Sequence, residues 1–108
     1  MSRYLVVVYV PPANAEAIRR VLADAGAGKL GNYDSCSFST KGTGRFRPLK
    51  GAKPTIGKVG AMEEVEEERI EAMLEASTED DLHRVIVALR KAHPYEEPAM
   101  HVLPMIEV

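Results

Sequence analysis

The run Tyr4-Leu5-Val6-Val7-Val8-Tyr9-Val10, closed by Pro11-Pro12, constrains the fold more than any other feature of the chain. Valine and tyrosine suit a pleated surface better than a helix, and a run without polar interruption needs cover on both faces. The segment is therefore expected to be a central strand, covered by helices on one side and by a further layer or a neighbouring subunit on the other. It is far shorter than the roughly 20 apolar residues that span a bilayer, and it lacks the small-residue cleavage pattern of a secretion signal. A chain of 108 residues supplies one compact core, so residues 1–108 are expected to form a single domain.

After the prolines, Asn14 has the chemistry of a helix N-cap, and Ile18, Val21, Leu22 and Ala25 recur at helical spacing until Gly26 and Gly28 stop the pattern. Tyr33–Thr40 alternates and reads as a second strand, with Cys36 and Phe38 on one side. From Lys41 to Pro54 the glycines and prolines are too frequent for a continuous element, which predicts a long basic loop or irregular hairpin. Farther on, Thr78 followed by Glu79, Asp80 and Asp81 opens a helix with negative charge at its positive dipole end. Leu82, Val85, Ile86 and Leu89 form its buried stripe; Arg90, Lys91 and His93 suit its last turn, and Pro94 ends it. Met100, Val102, Ile106 and Val108 share one parity around Pro104, as expected of a last strand that lies at a sheet edge or breaks at the proline.

The glutamate-rich segment between these helices is locally ambiguous. Glu, Ala, Met and Leu favour a helix, yet Glu68, Ile70, Ala72 and Leu74 also alternate. Taken as a strand, Glu64–Leu74 completes β-α-β-β-α-β, the ferredoxin-like plan of a four-stranded antiparallel sheet with two helices on one face. Consistency across the whole chain decides for the strand. The mismatch in parity between Val65 and Ile70 predicts a bulge between them.

Charge is unevenly distributed although the net charge is only -2. Six basic residues and no acidic one lie between Ser35 and Met62, whereas Glu63–Glu75 is strongly acidic, so the two blocks are expected to neutralise each other. A single cysteine excludes an internal disulfide and fits a reducing, cytoplasmic setting; Cys36 reads as a small core residue. A nucleic-acid role is disfavoured because the basic stretch has only Phe46 for stacking and adjoins the glutamates. The amphipathic helices are explained by a sheet beneath them, so a membrane role has no support.

Three stretches resemble a known family: Gly42-Thr43-Gly44-Arg45-Phe46, Val65-Glu66-Glu67 leading into Ile70-Glu71, and Ala88–Ala99 with its His93-Pro94-Tyr95-Glu96-Glu97-Pro98 run. They are similar to the accessory domain inserted into many bacterial NIF3-like (YqfO-type) dinuclear-metal proteins. The resemblance covers nearly the whole chain. It implies a fold similar to PII signalling proteins and CutA, a homo-oligomer with a trimer favoured, and ligand sites in clefts between subunits. The histidine-rich metal domain of that family has no counterpart in these residues, so its dinuclear site is not transferred.

Two candidate sites follow from the residues. His93, Glu96 and Glu97 are donors suited to a divalent metal ion, with Tyr95 beside them; the alternative is a structural turn that caps the preceding helix. Gly42, Thr43, Gly44 and Arg45 offer backbone N–H groups, a hydroxyl and a guanidinium to a small anionic ligand; the alternative is a plain basic hairpin. His83 is expected at the surface and His101 on the sheet face away from the helices. The resulting expectation is a non-catalytic PII/CutA-like binding or regulatory module taking a divalent metal or small anionic ligand. Two other readings stand beside it: an interaction protein that docks on a separate partner such as a NIF3-like metal domain, and a small enzyme using His93 and Glu96 as an acid-base pair.

Overall fold

A computed structural model describes residues 2–106 of the chain. The elements run β1 Ser2–Val10, α1 Pro12–Asp24, β2 Phe38–Phe46, β3 Glu63–Ala76, α2 Glu79–Ala92 and β4 Met100–Pro104. They form one antiparallel sheet in the order β2-β3-β1-β4. The expected ferredoxin-like architecture is present, with β1 in an interior position and β4 at an edge, where the missing N–H of Pro104 is tolerated.

Side chains alternate across the sheet. Val6, Val8 and Val10 of β1 join Ile70, Ala72, Leu74 and Ala76 of β3 on the helix-covered face, packed with Ile18 and Leu22 of α1 and Val85 and Leu89 of α2. The opposite parity of β1 faces away from the helices. Val7 there is nonetheless only 1% exposed, lying between its cross-strand partners Glu71 and His101. Leu5 pairs with Met73 and Leu103 on the same face, and the Tyr9 ring meets His101 edge-on at 5.7 Å. Phe38 and Leu103 are left 67% and 48% exposed.

The ambiguous glutamate segment is a strand because β1 and β2 hydrogen-bond to its two edges, and this pairing overrides intrinsic helix propensity. The expected bulge is absent: the register runs unbroken from Phe38↔Glu71 to Phe46↔Glu63. Val65 and Ile70 simply occupy opposite faces of a regular strand, Val65 lying across from Gly44 where β3 has passed the end of β1. Residues 63–67 pair with β2 and not β1, so β2 and β3 extend as a two-stranded arm, and the molecule with its arm measures 46 × 25 × 23 Å.

Other boundaries also depart from expectation. Pro11, rather than Asn14, is the N-cap of α1, and Pro12 occupies the first turn, where its fixed φ and missing N–H cost nothing. The second strand is Phe38–Phe46 instead of Tyr33–Thr40, so the Gly42–Phe46 motif is part of a ladder and the long loop begins at Arg47. Glycine was read as a breaker there, but register with a long partner strand holds it. Cys36 is half-exposed in the preceding connection, outside the core. β4 ends at Pro104; Ile106 is 90% exposed, and Val108 lies outside the described residues. His83 and His101 are exposed as expected.

The connection from α1 to β2 depends on Gly28. Its φ of 86° suits glycine, and a Cβ would lie 2.5 Å from the Cys36 carbonyl oxygen. At the start of α2 the Asp81 carboxylate accepts hydrogen bonds from the Ser77 N–H at 2.9 Å and the Thr78 N–H at 3.2 Å. These bonds, the Ser77 bond foremost, hold its pKa below the ordinary 3.8. Their stabilisation is therefore present above that value and is lost as pH falls through the depressed one. Asp81→Asn is expected to lower the melting midpoint at pH 7, with the difference from the parent chain vanishing when both are melted in strong acid.

Candidate ligand cleft

The last turn of α2 closes with the His93 N–H donating to the Leu89 carbonyl at 2.9 Å, and Pro94 prevents another turn. His93 is 7% exposed. Its Nε2 lies 2.7 Å from the Tyr9 carbonyl oxygen, while its Nδ1 accepts the Tyr95 N–H at 3.1 Å. Opposite a carbonyl, Nε2 must carry the hydrogen; opposite an N–H, Nδ1 must offer its lone pair. Both nitrogens are thus committed to the backbone, and the imidazole fixes the following turn against β1.

That turn presents Tyr95 to the Phe46 ring at the end of β2, with centroids 6.3 Å apart and planes inclined by 52°. The segment after β2 folds back over it. Thr55 Oγ1 donates to the Pro94 carbonyl at 2.7 Å, the Lys53 N–H donates to Glu96 Oε1 at 3.0 Å, and the Gly60 N–H donates to the Pro48 carbonyl at 2.8 Å to close the base of the loop. Between loop and turn lies a cleft of about 410 Å³, a size suited to a small molecule. Phe46, Pro48, Leu49, Pro54 and Ile56 give it apolar walls. Its polar lining is supplied by Arg45, Arg47, Glu67, Tyr95, Glu96 and Glu97.

Gly44 has a definite role beside this cleft. A Cβ there would collide with the Glu67 carboxylate, which lies across the ladder from the diagonal position on β3. The missing side chain makes room for Glu67 next to Tyr95. The Tyr95 hydroxyl oxygen is buried without a hydrogen-bond partner of good geometry. Burial first, and then the neighbouring negative charge of Glu67 with its attraction for the phenolic hydrogen, raise its pKa from 10.0 to about 12. Because the folded value is raised, the associated stabilisation is complete below pH 10 and is lost as pH rises towards 12. In an ultraviolet titration, one of the four tyrosines is expected to ionise last. Glu67→Gln should bring that step down part of the way to the ordinary value, since burial remains.

The two expected sites therefore meet only in part. Arg45, Tyr95, Glu96 and Glu97 line the cleft, whereas Gly42 and Thr43 do not and Gly44 acts by leaving space. His93 supports the cleft from beneath without lining it. Among the described residues no group of three or more His, Cys, Asp or Glu side chains is placed to hold a metal ion. The donors His93, Glu96 and Glu97 are thus not gathered into a metal centre within the chain. Sequence reasoning missed Glu67 and the loop walls. Leu49, Pro54 and Ile56 were an available signal, being apolar side chains in an otherwise basic loop, but the Gly44–Glu67 proximity depends on register.

No protein-family profile matches the chain. Among curated proteins it is 47% identical over 104 residues to a GTP cyclohydrolase 1 type 2 homolog of Halalkalibacterium halodurans, covering 96% of this chain and 27% of that protein. The Bacillus subtilis protein described in the same words is 48% identical over 98 residues, covering 91% of this chain and 26% of that one. The chain thus spans about a quarter of the length of the curated relatives it matches. Among solved structures, a Bacillus cereus protein related to NIF3 is 43% identical with a TM-score of 0.82, covering 98% of this chain and 26% of that one. The CutA divalent cation tolerance protein of Archaeoglobus fulgidus shares the fold, with a TM-score of 0.67 at 16% identity, covering 98% of this chain and 86% of that one. The chain is thus homologous to a segment, about a quarter in length, of NIF3-related proteins, and it shares its fold with CutA.

Proposed function

We propose that this chain is a non-catalytic, PII/CutA-like binding module that assembles with copies of itself and takes a small organic ligand in the cleft between loop 47–62 and the Tyr95–Pro98 turn. The observation that carries the reading is the cleft itself: apolar walls, a few polar groups and a buried hydroxyl without a well-aligned partner. A divalent metal ion, the other ligand class that the sequence suggests, fits less well because both His93 nitrogens are engaged by the backbone. The same engagement weighs against an acid-base pair of His93 with Glu96. Assembly is favoured by the helix-free sheet face, where Leu103 stands exposed opposite Leu5 and Phe38 stands exposed on the far side of β3; the CutA-like fold favours a trimer. Melting the protein against a panel of small amines, alcohols, carboxylates, nucleotides and divalent metal salts tests the reading, because a ligand specific to the native state must raise the midpoint. A rise with an organic member of the panel is the expected result, and no rise with any member would contradict it.

A second reading rests on a different observation. The Met105 N–H donates to the Arg3 carbonyl at 2.9 Å, so β1 begins and β4 ends at the same end of the sheet. That end is the part best placed to abut the remaining three-quarters of a relative's chain, and docking on a NIF3-like metal domain would occur there. Crosslinks from this end to such a domain, supplied separately, would favour it.

A further inference from the structure

Resting on the cleft reading above, we propose that the ligand is a small organic ammonium compound, held with its cationic head between the Phe46 and Tyr95 rings and the Glu67 carboxylate and its apolar body along the loop. The charges of the cleft point this way. Three acidic residues, Glu67, Glu96 and Glu97, and two arginines, Arg45 and Arg47, belong to its lining. Arg45 is already answered by Glu64 at 3.1 Å, and one oxygen of Glu96 accepts the Lys53 N–H. Glu67 is half-buried and, among the described residues, has no ion-pair partner. A carboxylate held in a partly desolvated wall without a cation is a site that a cationic ligand completes.

The aromatic groups strengthen the assignment. Two rings with centroids 6.3 Å apart and planes inclined by 52° belong to the cleft lining, and an alkylammonium head over the face of such a ring is attracted by its quadrupole. The Tyr95 hydroxyl, buried and with its hydrogen drawn towards Glu67, offers the head an oxygen acceptor. Gly44 leaves open the space that the Glu67 carboxylate occupies, and a side chain there would make the carboxylate shift. An anionic ligand would have Arg47, which has no ion pair among the described residues, as its one open guanidinium and would have to sit against Glu67.

The test uses the full chain and three probes of one length, hexylammonium, hexanol and hexanoate, followed by NMR. Hexylammonium is expected to saturate shifts at Phe46, Tyr95 and Glu67 and to bind about tenfold more tightly than hexanol, the worth of one desolvated cation–π and carboxylate contact. Glu67→Gln and Gly44→Val should each abolish that advantage, with the amide spectrum away from the cleft showing that the variants fold. Equal binding of hexylammonium and hexanol would overturn the cationic assignment and leave the cleft reading standing, as would tighter binding of hexanoate. Failure of all three probes to reach the cleft would overturn both.

Discussion

Replacing His93 with alanine is expected to destabilise the fold by about 3–5 kcal/mol, a substantial part of the total stability of a domain this size. The effect has three sources. The Tyr9 carbonyl loses its donor and the Tyr95 N–H loses its acceptor; each part-buried group left unmatched costs roughly 1–3 kcal/mol. The vacated volume beside β1 adds a cavity cost. Asparagine cannot span both partners, so no single substitution restores the pair. A residue kept only to contact a ligand behaves differently, because its removal from the free protein is commonly neutral or stabilising. Chemical denaturation of the ligand-free protein separates these cases: a large fall in midpoint is the outcome of the backbone geometry, and an unchanged midpoint would return His93 to a ligand role.

The second large effect concerns assembly. Leu103 stands 48% exposed opposite Leu5 on the face without helices. In the proposed assembly it is covered by a copy of itself or of a neighbour, and Leu103→Glu would bring a desolvated carboxylate into every copy of the interface. Light scattering is expected to show the variant at the single-chain mass of 11.9 kDa while the parent chain scatters as a multiple of it. Because β4 is an edge strand, the monomer should keep its fold. A variant that retains the parent mass would move the interface to another surface, and a parent chain that is itself monomeric would remove it.

Most of the fold was legible because its strongest signals are local and repeated. The valine run, the α2 cap and the proline after His93 each define an element without reference to the rest. Glu63–Ala76 was legible only through global consistency, since its composition favours a helix and its pairing on two edges makes it a strand. Gly42–Phe46 was misplaced for the converse reason: two glycines look like a loop until the register sets them opposite Val65 and Glu67. The same register hid the centre of the cleft, because Glu67 and Gly44 become neighbours only when β2 and β3 pair. The parts of the His93–Glu97 run, adjacent in the sequence, separate in space. His93 turns inward to the backbone, whereas Tyr95, Glu96 and Glu97 turn towards the loop.

The most direct measurement of whether function resides in this cleft is residue-resolved NMR of the full chain. Hexylammonium, hexanol and hexanoate would be added in turn, with zinc chloride in a parallel series. The expected result is a saturable set of shifts confined to Phe46, Ala52–Ile56, Glu67 and Tyr95–Ala99 with at least one organic probe, and a His93 imidazole that keeps its hydrogen on Nε2 throughout the zinc series. Zinc-induced change at His93 with no organic probe reaching the cleft would contradict it and make the turn a metal site instead.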